Sequence, residues 1–137
     1  MTQSLIPPAD LFEAAQAARS LAHAPYSRFQ VGAAIRLQNG AIFGGCNVEN
    51  ASYGATICAE RGAICAAVAA TGAIQISEIV VISQGTPPWP PCGMCRQFIA
   101  EFAAPSCRVF CVNDGGECLV YEFAVLFPRG FGASDLA

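Results

Sequence analysis

Three cysteines and one glutamate are the residues of this chain that could do chemistry together. Cys58 and Glu60 lie two residues apart, and a Cys92-Gly93-Met94-Cys95 pair follows, with 33 residues between Cys58 and Cys92. Thiolates are good zinc ligands. A closed structural zinc site takes four protein ligands, whereas a catalytic one takes three and leaves the fourth position to water or substrate. Three are evident here. A carboxylate two residues from the first ligand can reach water at the metal without being a ligand itself, which suits a proton carrier. Three thiolates leave a divalent zinc with net negative charge and make it a poorer Lewis acid than one held by neutral histidines. Arg61 and Arg96, next to Glu60 and Cys95, are candidates for donating hydrogen bonds to the sulfurs and offsetting that charge. A fourth ligand among the other cysteines, Cys46 or Cys118 for example, would make the site structural instead.

The elements that must position these residues can be read in outline. Pro7-Pro8-Ala9-Asp10 opens a helix with Leu11, Ala15, Ala18 and Leu21 at helical spacing, ending near His23-Ala24-Pro25 because proline disfavours helix in the residue before it. His23, the sole histidine, suits a helix C-terminus. Val31–Leu37 and Ala41–Cys46 read as strands joined by Gln38-Asn39-Gly40, a strong hairpin signal. A second helix starts near Cys58 and stops at Gly72. Its middle, Gly62 to Ala70, is apolar on every side, which predicts burial on every side: a sheet on one face and a neighbouring subunit on the other. Glu78–Ser83 is a β-branched run, read as an internal strand covered on both faces. Gly85–Pro91 is a proline-rich loop. A third helix runs from Cys92 to about Ala103. Strands follow at Cys107–Val112 and Cys118–Tyr121, and a last helical turn at Glu122–Phe127. This order predicts a mixed five-stranded sheet sandwiched by helices, an α/β fold. Cys58 and Cys92 both fall at helix N-termini, whose partial positive charge favours thiolate over thiol.

Composition narrows the function. At 137 residues the chain is one domain, residues 1–137. Charged residues are only 12%, about half the usual share, so part of the surface is expected to be buried against other subunits. Seven arginines, no lysine and a net charge of −3 argue against a grip on a phosphate backbone, and so against a nucleic-acid partner. No run of about 20 apolar residues predicts a membrane span. Met1–Asp10 has neither a basic segment nor a long apolar one, so no signal peptide is expected. The eight cysteines are then read as reduced and the chain as cytoplasmic, with Cys46, Cys65, Cys107, Cys111 and Cys118 as buried thiols packing like small hydrophobes.

Cys58-Ala59-Glu60 followed by Pro91-Cys92-Gly93-Met94-Cys95 matches the zinc deaminase signature, with cysteine in place of histidine as first ligand. The chain resembles the cytidine deaminases of the small homotetrameric class. The resemblance extends over Ala24–Ala34 (APYSRFQVGAA), Gly45–Tyr53 (GCNVENASY), Cys58–Arg61 and Pro91–Gln97 (PCGMCRQ), and more loosely over Leu126–Leu136, and so covers nearly the whole chain in order. It implies a three-layer α-β-α fold and one zinc ion per chain on Cys58, Cys92 and Cys95, with Glu60 shuttling protons. It implies that Asn47 and Glu49 hold the ribose hydroxyls, that Phe29 stacks on the pyrimidine, and that the backbone at Ala59 bonds the amide edge of the ring. Arg61 would tune the charge of the thiolates. Ala51, Tyr53 and Phe131 would reach into a neighbouring subunit's site in a homotetramer. The sequence departs from the family at Thr56, where glycine is common, at Trp89-Pro90, and in the approach to Phe131.

The implied activity is zinc-dependent hydrolysis of cytidine and deoxycytidine to uridine and deoxyuridine, with release of ammonia, in pyrimidine salvage. Two other readings stay open at this stage. One is a deaminase of a modified cytosine nucleoside such as the antibiotic blasticidin S. The other is a non-catalytic module stabilised by zinc, which requires a fourth protein ligand.

Overall fold

A computed structural model describes Gln3 and Ser4, as backbone, and residues 6–137. Of the opening Met1–Asp10 stretch, Met1, Thr2 and Leu5 lie outside the described residues. The elements are β1 (Gln3–Ser4), α1 (Ala9–Arg19), β2 (Gly32–Leu37), β3 (Ile42–Cys46), α2 (Ala59–Thr71), β4 (Ile76–Ile82), α3 (Gly93–Ala100), β5 (Ala103–Val112), β6 (Cys118–Glu122) and α4 (Phe123–Leu126), with 3-10 turns at Tyr53–Ala55 and Ala133–Leu136. The expected five-stranded mixed sheet is present as β2 to β6. The two-residue β1 adds a sixth strand beside β6, so the order across the sheet is β1-β6-β5-β4-β2-β3. Only β4 and β5 run parallel, and α3 makes the crossover between them.

The sheet separates two cores, and β4 explains how. Its side chains alternate between the faces. Ile79 and Val81 join a cluster with Ala63 and Ile64 of α2, Cys95 and Ile99 of α3, and Phe123 and Leu126 of α4. Val80 and Ile82 join Leu11 and Ala15 of α1, with Phe110 and Val112 of β5. A continuous β-branched run is what a strand covered on both faces requires. The layers are therefore α1, the sheet, and α2 with α3 and α4: an α-β-α sandwich.

Several boundaries differ from the sequence expectation, each for a tertiary reason. Helix α1 ends at Arg19 rather than near His23. Beyond it the chain is drawn off by a bridge between His23 and Val48: the His23 N–H donates to the Asn47 carbonyl at 3.0 Å and the Glu49 N–H to the His23 carbonyl at 2.8 Å. Helix α3 ends at Ala100 and β5 starts at Ala103, not Cys107. There the Ile76 N–H takes the Phe102 carbonyl at 2.8 Å, pulling the segment into the sheet beside β4. Helix α2 is buried on one side only. Ala59, Glu60, Ala63, Ile64 and Ala67 face the core, while Cys65, Ala66, Val68 and Ala69 are exposed on this chain. Cys65 thus departs from the buried-thiol expectation; Cys107, Cys111 and Cys118 meet it, and Cys46 is half-buried.

The position of α2 depends on one glycine. Gly45 of β3 lies so close to the helix that a Cβ there would sit 2.4 Å from the Ala63 nitrogen and 2.5 Å from the Ala59 carbonyl oxygen. Both are backbone atoms, so the helix itself would have to move. Gly45→Ala is expected to lower stability by about 1–3 kcal/mol, read as a drop in thermal midpoint, because the added methyl overpacks a rigid contact. Displacement of Ala59 and Glu60 should reduce zinc content in the same variant.

Candidate active site

Cys58 and Cys92 are the N-cap residues of α2 and α3, each with an extended backbone, φ −75° and −68°. Cys95 lies in the first turn of α3 and is buried. The unsatisfied amides of two helix N-termini therefore converge on one place, which favours negative charge there. The three sulfurs all lie within 4.8 Å of one another, with Cys58 Sγ and Cys92 Sγ 3.8 Å apart. Sulfurs bound tetrahedrally to zinc at about 2.3 Å are themselves about 3.8 Å apart, so the donor set fits that ion. No other such cluster of histidine, cysteine or acidic side chains occurs among the described residues. Cys118 faces the opposite core, Cys46 and His23 are not in the cluster, and no fourth histidine, cysteine or acidic ligand joins it among the described residues.

The cysteines are electrostatically unequal. A hydrogen bond from Cys95 pulls Cys58 down to about 5 against the cost of burial, and Arg61 and Cys92 add to the effect. Cys95 is pushed up, first by that same link to Cys58, then by burial and by the charge of Glu60. The cluster thus accepts its first negative charge easily and resists a second, which is the electrostatic setting a divalent cation reverses. Elsewhere, Cys107 and Cys111 are pushed up to about 12, mainly by burial, and behave as inert core thiols.

Arg61 donates from Nη2 to Cys58 Sγ at 3.4 Å and lies at the same distance from the Thr56 carbonyl, while its buried Nε has no partner. Arg96 does not take the sulfur-bonding role its position suggests. Its Nε donates to the Pro91 carbonyl at 2.7 Å and its Nη1 to the Leu126 carbonyl at 2.8 Å. It ties the segment before Cys92 to the end of α4.

A cavity of about 210 Å³ opens onto the cluster. It is lined by Cys58, Ala59, Glu60 and Cys92, by Val31, Asn47 and Thr56, and by Val81, Ser83, Trp89 and Pro90 of β4 and the loop after it; Phe29 is not among the lining residues. Glu60 is 4% exposed. Burial pushes it up to about 7, the charge on Cys58 adds to this, and backbone hydrogen bonding and Arg61 oppose it. A buried carboxyl beside the thiol cluster is suited to proton transfer.

The remaining candidate residues fall into three groups. Asn47 is buried in the cavity wall, where its Nδ2 donates to the Phe29 carbonyl at 2.7 Å and its Oδ1 accepts from the Val31 N–H at 2.9 Å. Glu49 lies in an adjoining cleft with Tyr26, Tyr53 and Thr56, and its carboxylate accepts from the N–H groups of Tyr26 and Ser27 and from the Ser27 hydroxyl. Those bonds hold Glu49 below the usual carboxylate range, the Ser27 side chain foremost. Together the two residues fix the loop that carries Phe29, including Arg28 in the left-handed region at φ 66°. Phe29 meets Trp89 edge to face, with ring centres 5.3 Å apart. Ala51, Tyr53 and Phe131 are exposed and do not line this chain's own cavity; the Phe131 carbonyl accepts from Gln97 Nε2 at 2.9 Å.

Sequence reasoning did not single out Ser83 or Asn113. The signal was there: each is a polar residue directly after a run of four apolar ones, Ile79–Ile82 and Val109–Val112. Asn113 is buried and donates to the Gly85 carbonyl at 3.1 Å while accepting from the Gly115 and Glu117 N–H groups.

Arg61→Gln removes the charge beside Cys58 while keeping a hydrogen-bond donor. Zinc retention should fall by about tenfold or more, the usual effect of losing a partner that supports a ligand. Competition with a chromogenic chelator measures this without reference to activity.

Residues 8–111 match the family described as the cytidine and deoxycytidylate deaminase zinc-binding region. The chain is 41% identical over 126 residues to a cytidine deaminase of Halalkalibacterium halodurans, covering 92% of this chain and 95% of that one. It is 42% identical over 120 residues to a cytidine deaminase of Sporosarcina psychrophila, covering 88% of each. A crystal structure of cytidine deaminase from Burkholderia pseudomallei superposes with a TM-score of 0.85 at 43% identity, over 92% of this chain and all of that one. With three thiols set for zinc, a buried carboxyl beside them and relatives matched along nearly their full length, the chain belongs to the cytidine and deoxycytidylate deaminase family.

Proposed function

We propose that this protein hydrolyses cytidine and deoxycytidine to uridine and deoxyuridine with release of ammonia, in pyrimidine salvage. The observation that carries this reading is a three-thiol cluster without a fourth protein ligand, sharing one cavity with buried Glu60. A structural zinc module has no use for the free coordination position or for the carboxyl. Cys58, Cys92 and Cys95 hold one zinc ion per chain. What zinc supplies at such a site is acidified water, making hydroxide available near neutral pH.

The chain's own residues do the rest. Glu60 takes a proton from the attacking water, delivers it to N3 of the pyrimidine, and carries a second, from the hydroxyl added at C4, to the departing amine. Water and cytidine thus balance to uridine and ammonia. Phe29 stacks on the ring, and the backbone at Ala59 bonds its amide edge. Asn47 and Glu49 hold the ribose hydroxyls. Asn47 spends one donor and one lone pair on the Phe29 loop and keeps one of each. The Asn47-Glu49 pairing favours an ordinary ribose over the modified sugar of blasticidin S.

We further read the chain as a single domain, residues 1–137, working in a homotetramer with Ala51, Tyr53 and Phe131 completing neighbouring sites. The apolar outer face of α2, Cys65, Ala66, Val68 and Ala69, supports association. A cytoplasmic setting is supported by the eight cysteines, none joined in a disulfide. No helix among the described residues is long and apolar enough to cross a membrane.

Two measurements test this. Loss of the cytidine absorbance band should accompany mixing with zinc-loaded wild type. Glu60→Gln should slow it by about 10²–10⁴-fold, the usual worth of a positioned acid–base group, at unchanged zinc content. Equal rates for the two would remove Glu60 from the proton path. By light scattering, wild type should have about four times the chain mass of 14.2 kDa. Val68→Arg should give smaller species, and a monomeric wild type would end the shared-site reading.

A further inference from the structure

We propose that Trp89 determines which substituents the enzyme accepts at C5 of the pyrimidine. The inference rests on the deaminase reading and extends it to substrate selection. Trp89 is 39% exposed, yet its position is built. The indole lies flat on the backbone at Gly85, where even a Cβ would come within 2.2 Å of Nε1 and 2.3 Å of Cδ1. Gly85 is in turn pinned on both sides: its N–H donates to Ser83 Oγ at 3.3 Å and its carbonyl accepts from the buried Asn113 Nδ2 at 3.1 Å. The indole also packs against Phe29, with the two ring planes 74° apart.

The chemistry of the reaction fixes which part of the base meets this wall. C4 must face the sulfur cluster, where water is activated. The sugar, on N1 across the ring from C4, must then point to the mouth of the cavity. Adding the water oxygen at C4 requires a proton on N3, so the N3 edge faces Glu60 on α2. The C5–C6 edge therefore faces away from Glu60, and Trp89 and Pro90, from the loop between β4 and α3, are among the residues that line the rest of the cavity. A pyrimidine stacked on Phe29 would lie roughly parallel to it, so the indole, 74° from Phe29, would be steeply inclined to the base. A rigid aromatic wall along the C5–C6 edge leaves hydrogen at C5 in contact and drives a methyl or halogen into the indole. Backed by Gly85, the indole cannot yield towards that backbone.

The test compares kcat/KM for cytidine and for 5-methylcytidine in zinc-loaded wild type, Trp89→Ala and Trp89→Phe, with zinc content measured in each. One methyl group in a shaped apolar pocket is worth roughly 10–200-fold in discrimination. Wild type should therefore prefer cytidine by at least about tenfold, and Trp89→Ala should reduce that preference about tenfold or more. Trp89→Phe, the smaller change, should fall between them and serves if the alanine variant does not fold. A merely structural role would lower both rates together and leave their ratio alone. Wild type active on cytidine with an unchanged ratio in the variants, or one that handles both nucleosides equally, overturns the assignment of Trp89 alone. Zinc-loaded wild type that deaminates neither nucleoside removes the deaminase reading, and this proposal with it.

Discussion

Two helix N-termini are aimed at one point, and most of the molecule serves to hold them there. The first turns of α2 and α3 bring partial positive charge and free amides to the same place, and the sulfurs of Cys58, Cys92 and Cys95 sit in that field. Separately, each helix end would be an ordinary N-terminus. Their convergence depends on α2 lying close against β3 at Gly45, and on α3 crossing from β4 to the parallel strand β5. Arg96 then clamps the segment entering α3 to the end of α4. Two of its ligands cap helices and the third lies in a first helical turn.

Around this fixed centre the cavity is built from less regular pieces, each with its own anchor. Asn47 and Glu49 bind the loop carrying Phe29 from below, and Asn113 and Ser83 bind the loop carrying Trp89 through Gly85. The two aromatic residues then meet edge to face. Buried or part-buried polar side chains hold both loops. Their hydrogen bonds run mainly to backbone groups that loops would otherwise leave without partners.

The parts of this arrangement that sequence reveals are the local ones. The β-branched run at β4 and the Asn39-Gly40 turn state their structure outright, and the Cys-x-Glu and Pro-Cys-x-x-Cys spacings state their chemistry. What was hidden depends on partners distant in the chain. Strand β1 is two polar residues, visible as a strand only because β6 offers an edge. The early end of α3 follows from the pairing of Phe102 with Ile76, not from helix propensity. Arg96 beside a ligand looked like a sulfur partner because nothing local shows that carbonyls of Pro91 and Leu126 lie within its reach. Trp89 stood out as an unusual residue, but its role as a wall needs Gly85 and Phe29 in place.

The parallel pairing of β4 with β5 has a consequence for how the site is put together. An antiparallel hairpin can form as soon as its second strand is made, but a parallel pair must wait for the whole crossover and for the loop closure that comes with it. The seat of α3, and so of Cys92 and Cys95, is complete only when β5 is in register through Val112. Cys58 precedes Val112 by more than fifty residues, so the ligand set is held together by contacts of long sequence separation. The packing that buries Cys95 and Glu60 is the same packing that completes the site.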